Sequence, residues 1–154
     1  MSATNYWLMK SEPDAYSIDD LQRDQVEPWD GIRNYQARNF MRDDMKIGDK
    51  VFFYHSNAKP IAIVGTMEIA SEPYPDPTQF DPKSKYFDEK SKESDPRWQL
   101  VDVKFIEKFS EPVTREAMKV VPELEEMLIF KRSRLSITPV TEAEWNKIME
   151  MAKG

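Results

Sequence analysis

Aromatic rings, amides and guanidinium groups are concentrated in one stretch, Trp29-Asp30-Gly31-Ile32-Arg33-Asn34-Tyr35-Gln36-Ala37-Arg38-Asn39-Phe40, in which Asp30 is the one acid. Together they can hold a planar heteroaromatic group and the phosphates attached to it. Rings stack on the base, amides read its edge and guanidinium groups meet phosphate. A second stretch, Lys131-Arg132-Ser133-Arg134-Leu135-Ser136, is also free of acids, although the whole chain carries a formal charge of -6 at pH 7. Positive charge is therefore placed locally, and residues 71–130 hold the compensating excess of Asp and Glu. A focused basic cleft on an acidic body suits a short or single nucleotide segment better than a long duplex. The acidic average argues against a protein that coats DNA through a broad basic face.

Other chemistries are poorly served. With no Cys there is no disulfide framework, thiolate metal site or cysteine nucleophile, and one His excludes zinc sites built on two or three imidazoles. A carboxylate site for Mg²⁺ or Ca²⁺ stays open, but no Asp spacing suggests one. The four Gly are isolated, so there is neither a phosphate-cradling loop nor a nucleophile elbow. No metal and no cofactor is expected. His55-Ser56-Asn57 follows a strand and offers donors and acceptors for a base edge. Adjacent residues on an extended segment point to opposite faces, so His55 and Ser56 do not make a catalytic pair. Glu12 and Asp30 carry the charge of a general acid and base, yet nothing in their spacing brings them together. Trp29 and Trp98 each follow a turn signal and read as walls of a base-sized slot. A lone Trp is more often a core or rim residue, but Asp30, Arg33 and Asn34 beside Trp29 are more than a core corner needs. Arg134 and Ser136, at the start of a strand, read equally well as base or phosphate contacts and as an ordinary solvated edge.

The elements that must position these groups alternate. Residues 6–9 read as a buried strand stopped at Pro13. Ser17 and Asp20 form a capping box for a helix over 18–23, and Asn34 caps a helix over 35–43 with Arg38 and Arg42 on one face and Ala37, Phe40 and Met41 on the other. Strands follow over 50–54 and 61–69, with Gly65 marking a bulge or close backbone approach. Residues 71–96, with five Pro, read as a long surface excursion, a lid or rim. A long strand over 98–109, short helices from 114 to 127, a strand over 135–140 ended by Pro139, and a terminal helix over 142–151 capped by Thr141 and Glu144 complete the pattern. At 154 residues with 40% hydrophobic side chains, this is one globular domain, 1–154, able to bury about 70% of its unfolded surface. No membrane-length apolar run or signal peptide is evident, which makes the cytoplasm the default location.

Four ordered motifs carry a resemblance. They are Tyr6-Trp7-Leu8-Met9-Lys10-Ser11-Glu12-Pro13, then residues Trp29 to Asn39, then Gly48-Asp49-Lys50-Val51-Phe52-Phe53-Tyr54-His55-Ser56, then Ser133-Arg134-Leu135-Ser136-Ile137-Thr138-Pro139-Val140. Over residues 5 to 151 the chain resembles the EVE domain family, with Ile32 where many relatives have Val. The resemblance implies an α+β fold, a PUA-like β-barrel-like mixed sheet with flanking helices. It also implies a non-catalytic module that binds nucleic acid, DNA or RNA, carrying modified bases. The pocket positions it implies are Lys10, Ser11, Trp29, Asn34, Tyr35, His55, Ser56, Trp98, Arg134 and Ser136. Phosphate contacts would fall to Arg33, Arg38, Arg42 and Arg132, with Lys10 and Arg134 beside them. Two other classes stay open: an enzyme acting on a modified nucleoside with Asp30 or Glu12 as base, and a module that holds a protein partner through the 71–97 excursion. Oligomeric state is left open.

Overall fold

The computed structural model describes residues 5–153. In chain order the elements are β1 (Tyr6–Ser11), α1 (Ile18–Asp24), β2 (Val26–Pro28), α2 (Tyr35–Asn39), β3 (Lys50–His55), β4 (Ala62–Ile69), β5 (Tyr74–Pro75), β6 (Gln99–Leu100), β7 (Asp102–Thr114), α3 (Arg115–Lys119), α4 (Leu128–Lys131), β8 (Ile137–Val140) and α5 (Glu142–Ala152). Six strands form one curled mixed sheet in the order β2-β7-β4-β3-β1-β8, and β5 and β6 make a separate ribbon. β1 and β3 are parallel, whereas the pairs β1–β8, β3–β4, β4–β7 and β2–β7 are antiparallel.

The sheet is covered on both faces, which is why its central strands read as continuous apolar runs. Alternation sends Trp7, Met9, Val51 and Phe53 to one face, where they pack with Ile18, Leu21, Trp29 and Met41. Leu8, Phe52 and Tyr54 go to the other, against Met118, Leu124, Trp145 and Ile148. Both capping boxes form as their local sequence dictates, Ser17 with Asp20 on α1 and Thr141 with Glu144 on α5. Gly65 sits at a register shift where a Cβ would overlap the carbonyl oxygen of Glu107, so β4 and β7 approach closely only because no side chain intervenes.

Four local expectations need correction. The helix expected over 35–43 is α-helical only to Asn39 and then widens into a π-helical turn, Phe40–Asp44, closed by Met45 N–H on Phe40 O at 2.9 Å. The wider turn buries Met41 and sets the Phe40 ring 5.2 Å from Trp7. The strand expected over 98–109 is broken at Val101, because Gln99 and Leu100 pair with β5 while β7 pairs with β4 as far as Thr114. Pro139 does not end β8 but lies inside it, opposite Trp7, on an edge strand where a missing N–H is tolerated. Residues 71–96 are more than a surface loop: Asp76 and Gln79 are fully buried in them. The Gln79 amide donates to Asp76 O and Trp98 O at 2.7 and 2.8 Å and accepts from Trp98 N–H at 3.1 Å, which gives the excursion a polar core of its own.

Candidate nucleic-acid interface

Parallel pairing of β1 with β3 requires a crossover connection, and the aromatic and basic stretch around Trp29 lies on it. Its middle is pinned by backbone contacts, Trp29 N–H to Val101 O at 2.9 Å and Asp30 N–H to Pro28 O at 3.0 Å. Gly31 N–H donates to Asp76 Oδ2 at 2.8 Å. Gly31 has φ +79°, and a Cβ there would come within 2.6 Å of the Tyr86 ring, so both the turn and the ring require glycine. Arg33 straps the excursion down. Its Nη1 reaches Asp76 Oδ2 at 3.2 Å, its Nε and Nη2 donate to Tyr86 O at 3.0 and 2.7 Å, and its Nη2 also donates to Thr78 Oγ1 at 3.0 Å. Between the end of β1, the crossover and the strapped excursion lies a cleft of about 330 Å³. Trp29, Tyr16 and Tyr86 supply its rings, and Ser11, Glu12, Glu27, Asp30 and Lys85 its polar groups.

The structure divides the residues singled out from sequence into three places. Lys10, Ser11 and Trp29 line this cleft. Trp29 is only 6% exposed and packs edge-on against Phe53, so it forms the floor rather than a free wall. The Lys10 ammonium turns away to Ser133 O at 3.0 Å and lies over the Tyr54 ring. Burial, with Arg115 nearby, holds the Lys10 pKa below the usual lysine range. The Ser11 hydroxyl donates to Tyr16 O at 2.7 Å. A second cavity of about 370 Å³ gathers Asn34, Gln36 and the segment from Lys131 to Leu135. There Asn34 Oδ1 accepts from Ala37 N–H at 2.9 Å as the cap of α2, and Arg132 donates to Gln36 Oε1 at 2.9 Å. Lys131 pairs with Glu126. Arg132 and Arg134 pair with no carboxylate among the described residues. The Lys10–Ser133 bond ties this basic cavity to the aromatic cleft.

The remaining residues are engaged elsewhere. Trp98 is 6% exposed, stacked on Tyr35 at 4.8 Å, covered by the Arg33 and Arg38 guanidinium groups and bonded through Nε1 to Asp88 at 2.8 Å. It has no face left for a base, which corrects its reading as a second wall. Arg33 is likewise spent on Asp76 and Tyr86 rather than on phosphate, because the buried carboxylate needs it. Arg38 donates to Arg97 O at 2.8 Å and to Asn39 Oδ1, while Arg42 pairs with Asp43 on the exposed surface. The backbone carbonyl of Ser136 accepts from Lys10 N–H at 2.9 Å, a β1 ladder contact.

His55 belongs to the framework. Its Nε2 accepts the Ile18 N–H at 3.1 Å, satisfying a free donor at the start of α1, and its ring lines another cavity with Pro13, Asn57 and Pro60. Ser56 follows it in the chain, its N–H on Ser11 O at 3.0 Å, and neither residue lines the Trp29 cleft. Burial holds the His55 pKa below 6.5, with Lys108 adding to this and Asp19 opposing it. A depressed folded value means that the unfolded chain binds the proton more readily. The stability contributed by neutral His55 is thus complete above about pH 6.5 and lost as pH falls through the folded pKa. Because the chain has one imidazole, an NMR titration should give a single His midpoint below that of a model peptide. A midpoint at or above the peptide value would remove His55 as the acceptor for α1.

Sequence reasoning passed over Tyr16, Glu27, Lys85 and Tyr86, all of which line the cleft. Tyr16 follows the first motif closely and its hydroxyl donates to Asp24 Oδ2 at 2.9 Å. Tyr86 sits in a stretch whose composition signals only loop. Burial raises the Asp30 carboxyl above the usual aspartate range, with Asp76 adding to it and Arg33 opposing it. Burial likewise raises Glu27, helped by Asp24 and Asp30. No group of three or more His, Cys, Asp or Glu among the described residues is placed to hold a metal ion, and no helix among them is long and apolar enough to cross a membrane.

Comparison with known proteins places this geometry in context. Mouse thymocyte nuclear protein 1 is 44% identical over 167 residues, covering 96% of this chain and 74% of that protein. A hypothetical protein from Leishmania major superposes with a TM-score of 0.95 at 44% identity, covering 98% of this chain and 96% of the other. Human THYN1 protein, solved in complex with 5-methylcytosine containing DNA, superposes with a TM-score of 0.93 at 39% identity, covering 98% of this chain and 99% of that one. These likenesses accord with the PUA-like architecture implied by the sequence motifs. The EVE domain model matches residues 5–151, and the chain belongs to the EVE domain family.

Proposed function

We propose that the Trp29 cleft holds one base, modified and swung out of its strand, while Arg132 and Arg134 in the neighbouring basic cavity meet the flanking phosphates. The observation that carries this reading is the juxtaposition of an aromatic cleft of about 330 Å³ with a cavity holding two arginines free of carboxylates. The cleft lies at the small end of the ~300–1,000 Å³ typical of ligand pockets, and three rings line it. Tyr16 and Tyr86 are partly exposed and serve as the stacking walls, Trp29 as the floor. Arg132 and Arg134 stand beside the cleft, and within it Glu12, Glu27 and Asp30 outnumber Lys10 and Lys85, a balance that takes the base inward and disfavours phosphate there. The complex of human THYN1 protein with 5-methylcytosine containing DNA supports 5-methylcytosine as the first base to test. Extruding a base costs a few kcal/mol, least when it is unpaired, so single-stranded sites bind best. Arg42, exposed on the π-helical turn that follows α2, extends the phosphate contacts. The activity is binding without turnover.

The test is a titration of the protein against short DNA and RNA oligonucleotides carrying plain, methylated or hydroxymethylated cytosine and plain or methylated adenine, at two salt concentrations. Tyr86→Ala should weaken binding of the preferred oligonucleotide by about 5- to 150-fold, the worth of one base–ring stack of ~1–3 kcal/mol. Arg134→Ala should weaken all oligonucleotides alike and reduce the salt slope by about one. Full affinity in Tyr86→Ala would move the base out of this cleft.

A further inference from the structure

Tyr35, the first residue of α2, is 52% exposed, yet its ring is held in place. It stacks on Trp98 with ring centroids 4.8 Å apart and planes 24° from parallel. Trp98 is itself fixed, through Nε1 on Asp88 and through its backbone N–H on the buried Gln79 side chain, so the ring beneath Tyr35 is rigid. The Arg38 guanidinium lies 4.8 Å from the centre of the Tyr35 ring and 5.9 Å from that of Trp98. Were indole and guanidinium on opposite faces of Tyr35, they would stand much farther apart. Both therefore back the same face, and the other is open. Arg38 donates to Arg97 O and Asn39 Oδ1, both neutral, and pairs with no carboxylate among the described residues, so its positive charge is uncompensated behind the ring. An exposed flat ring, immobilised from one side and backed by an unpaired cation, is what a stacking platform for single-stranded nucleic acid requires. Its place fits that use: Asn34 and Gln36, the chain neighbours of Tyr35, line the basic cavity that holds Arg132 and Arg134. A strand with a phosphate in that cavity passes the first turn of α2.

We propose that the open face of Tyr35 stacks the base of a nucleotide next to the extruded one, so that the protein holds a short single-stranded segment by a neighbouring base as well as by the base in the cleft. This rests on the base-slot reading above. Extruding a base leaves its neighbour with an uncovered face, and a ring outside the cleft restores the stacking lost there. Every base has a flat face, so the platform adds affinity without a sequence preference at the neighbouring position. The Tyr35–Trp98 stack is preassembled, and little ordering entropy opposes its use.

The experiment uses the full chain and single-stranded DNA oligonucleotides with 5-methylcytosine at one central position. They carry an abasic site next to it on the 5′ side, on the 3′ side or nowhere, and a control is abasic at the central position itself. Fluorescence anisotropy should show that an abasic neighbour on one side weakens binding by about fivefold or more, as expected for one lost base–ring stack. Tyr35→Ala should weaken the intact oligonucleotide by a similar factor and no longer distinguish it from the one with the abasic neighbour, a non-additivity that a merely structural role would not produce. Tyr35→Leu, which keeps Trp98 covered but offers no flat ring, should behave as Tyr35→Ala does, and Tyr35→Phe as the wild type, while circular dichroism confirms that each variant is folded. If an abasic neighbour on either side costs nothing while the central one does, the platform is overturned and the base slot stands. If the neighbour's loss is the same in the wild type and in both Tyr35→Ala and Tyr35→Leu, the stack lies on another residue and the assignment to Tyr35 is overturned. No loss from the central abasic site overturns the base slot and this proposal with it.

Discussion

Arg33→Ala is expected to lower folding stability by roughly 3–5 kcal/mol, the range for removing one partner of a buried pair, and to abolish base binding at the same time. The reason lies with Asp76, whose side chain is 1% exposed and whose carboxylate is held by Gly31 N–H, Thr78 N–H and the Arg33 guanidinium. Without Arg33 that charge keeps its neutral donors but loses its counter-ion, and Tyr86 O loses two donors as well. Solvent reaches Arg33, which is 22% exposed, so the lower half of the range is the better figure. Arg33→Lys should not restore stability, because an ammonium cannot serve Asp76, Thr78 and Tyr86 together as the planar fork does. Urea unfolding of Arg33→Ala, Asp76→Ala and the double variant provides the measurement. The double variant should lose far less than the sum of the singles, since each single leaves the other group stranded. Additive losses, or an Arg33→Ala change within about 1 kcal/mol as at an exposed pair, would show that the strap does not hold the cleft wall.

That strap also marks where the sequence stopped being readable. Local rules sufficed for both capping boxes, because the cap and the residue three positions on are neighbours in the chain. They sufficed for the apolar runs of β1, β3 and β4, since burial on both faces leaves no polar alternation to misread. They failed at Val101 and in the turn after Asn39, where strand partners and the Trp7 ring decide the backbone. The stretch around Trp29 was legible as a concentration of aromatic, amide and basic groups, and part of it does line a cleft. The roles within it were not, because Arg33 reads as a phosphate ligand until Asp76, 43 positions away, claims it. His55 shows the same limit, its nitrogen taken by an N–H 37 positions earlier. Nothing local to Asp76 or Tyr86 distinguishes them from the other polar and aromatic residues of a proline-rich excursion.

Trp29→Ala should lower stability by about 3–5 kcal/mol, the range for truncating a buried aromatic, and base affinity should fall with it. A free stacking wall would behave differently: its loss would weaken binding while the unfolding midpoint barely moved, as expected for the partly exposed Tyr86 ring. Trp29 is 6% exposed, its ring meets Phe53 edge-on at 5.5 Å and 85°, and its backbone anchors the crossover to Val101. Truncation leaves a void between the sheet and the cleft, and the surrounding side chains relax into it only in part. The floor then sinks beneath any bound base, which couples the two losses physically. Trp29→Phe separates the readings, because a smaller ring refills much of the floor but offers a smaller stacking surface. If Trp29 is floor, Phe should recover most of the stability and most of the affinity in parallel. Recovery of stability with affinity still at the Ala level would make the indole itself the stacking surface and return Trp29 to the role its neighbours in sequence suggest.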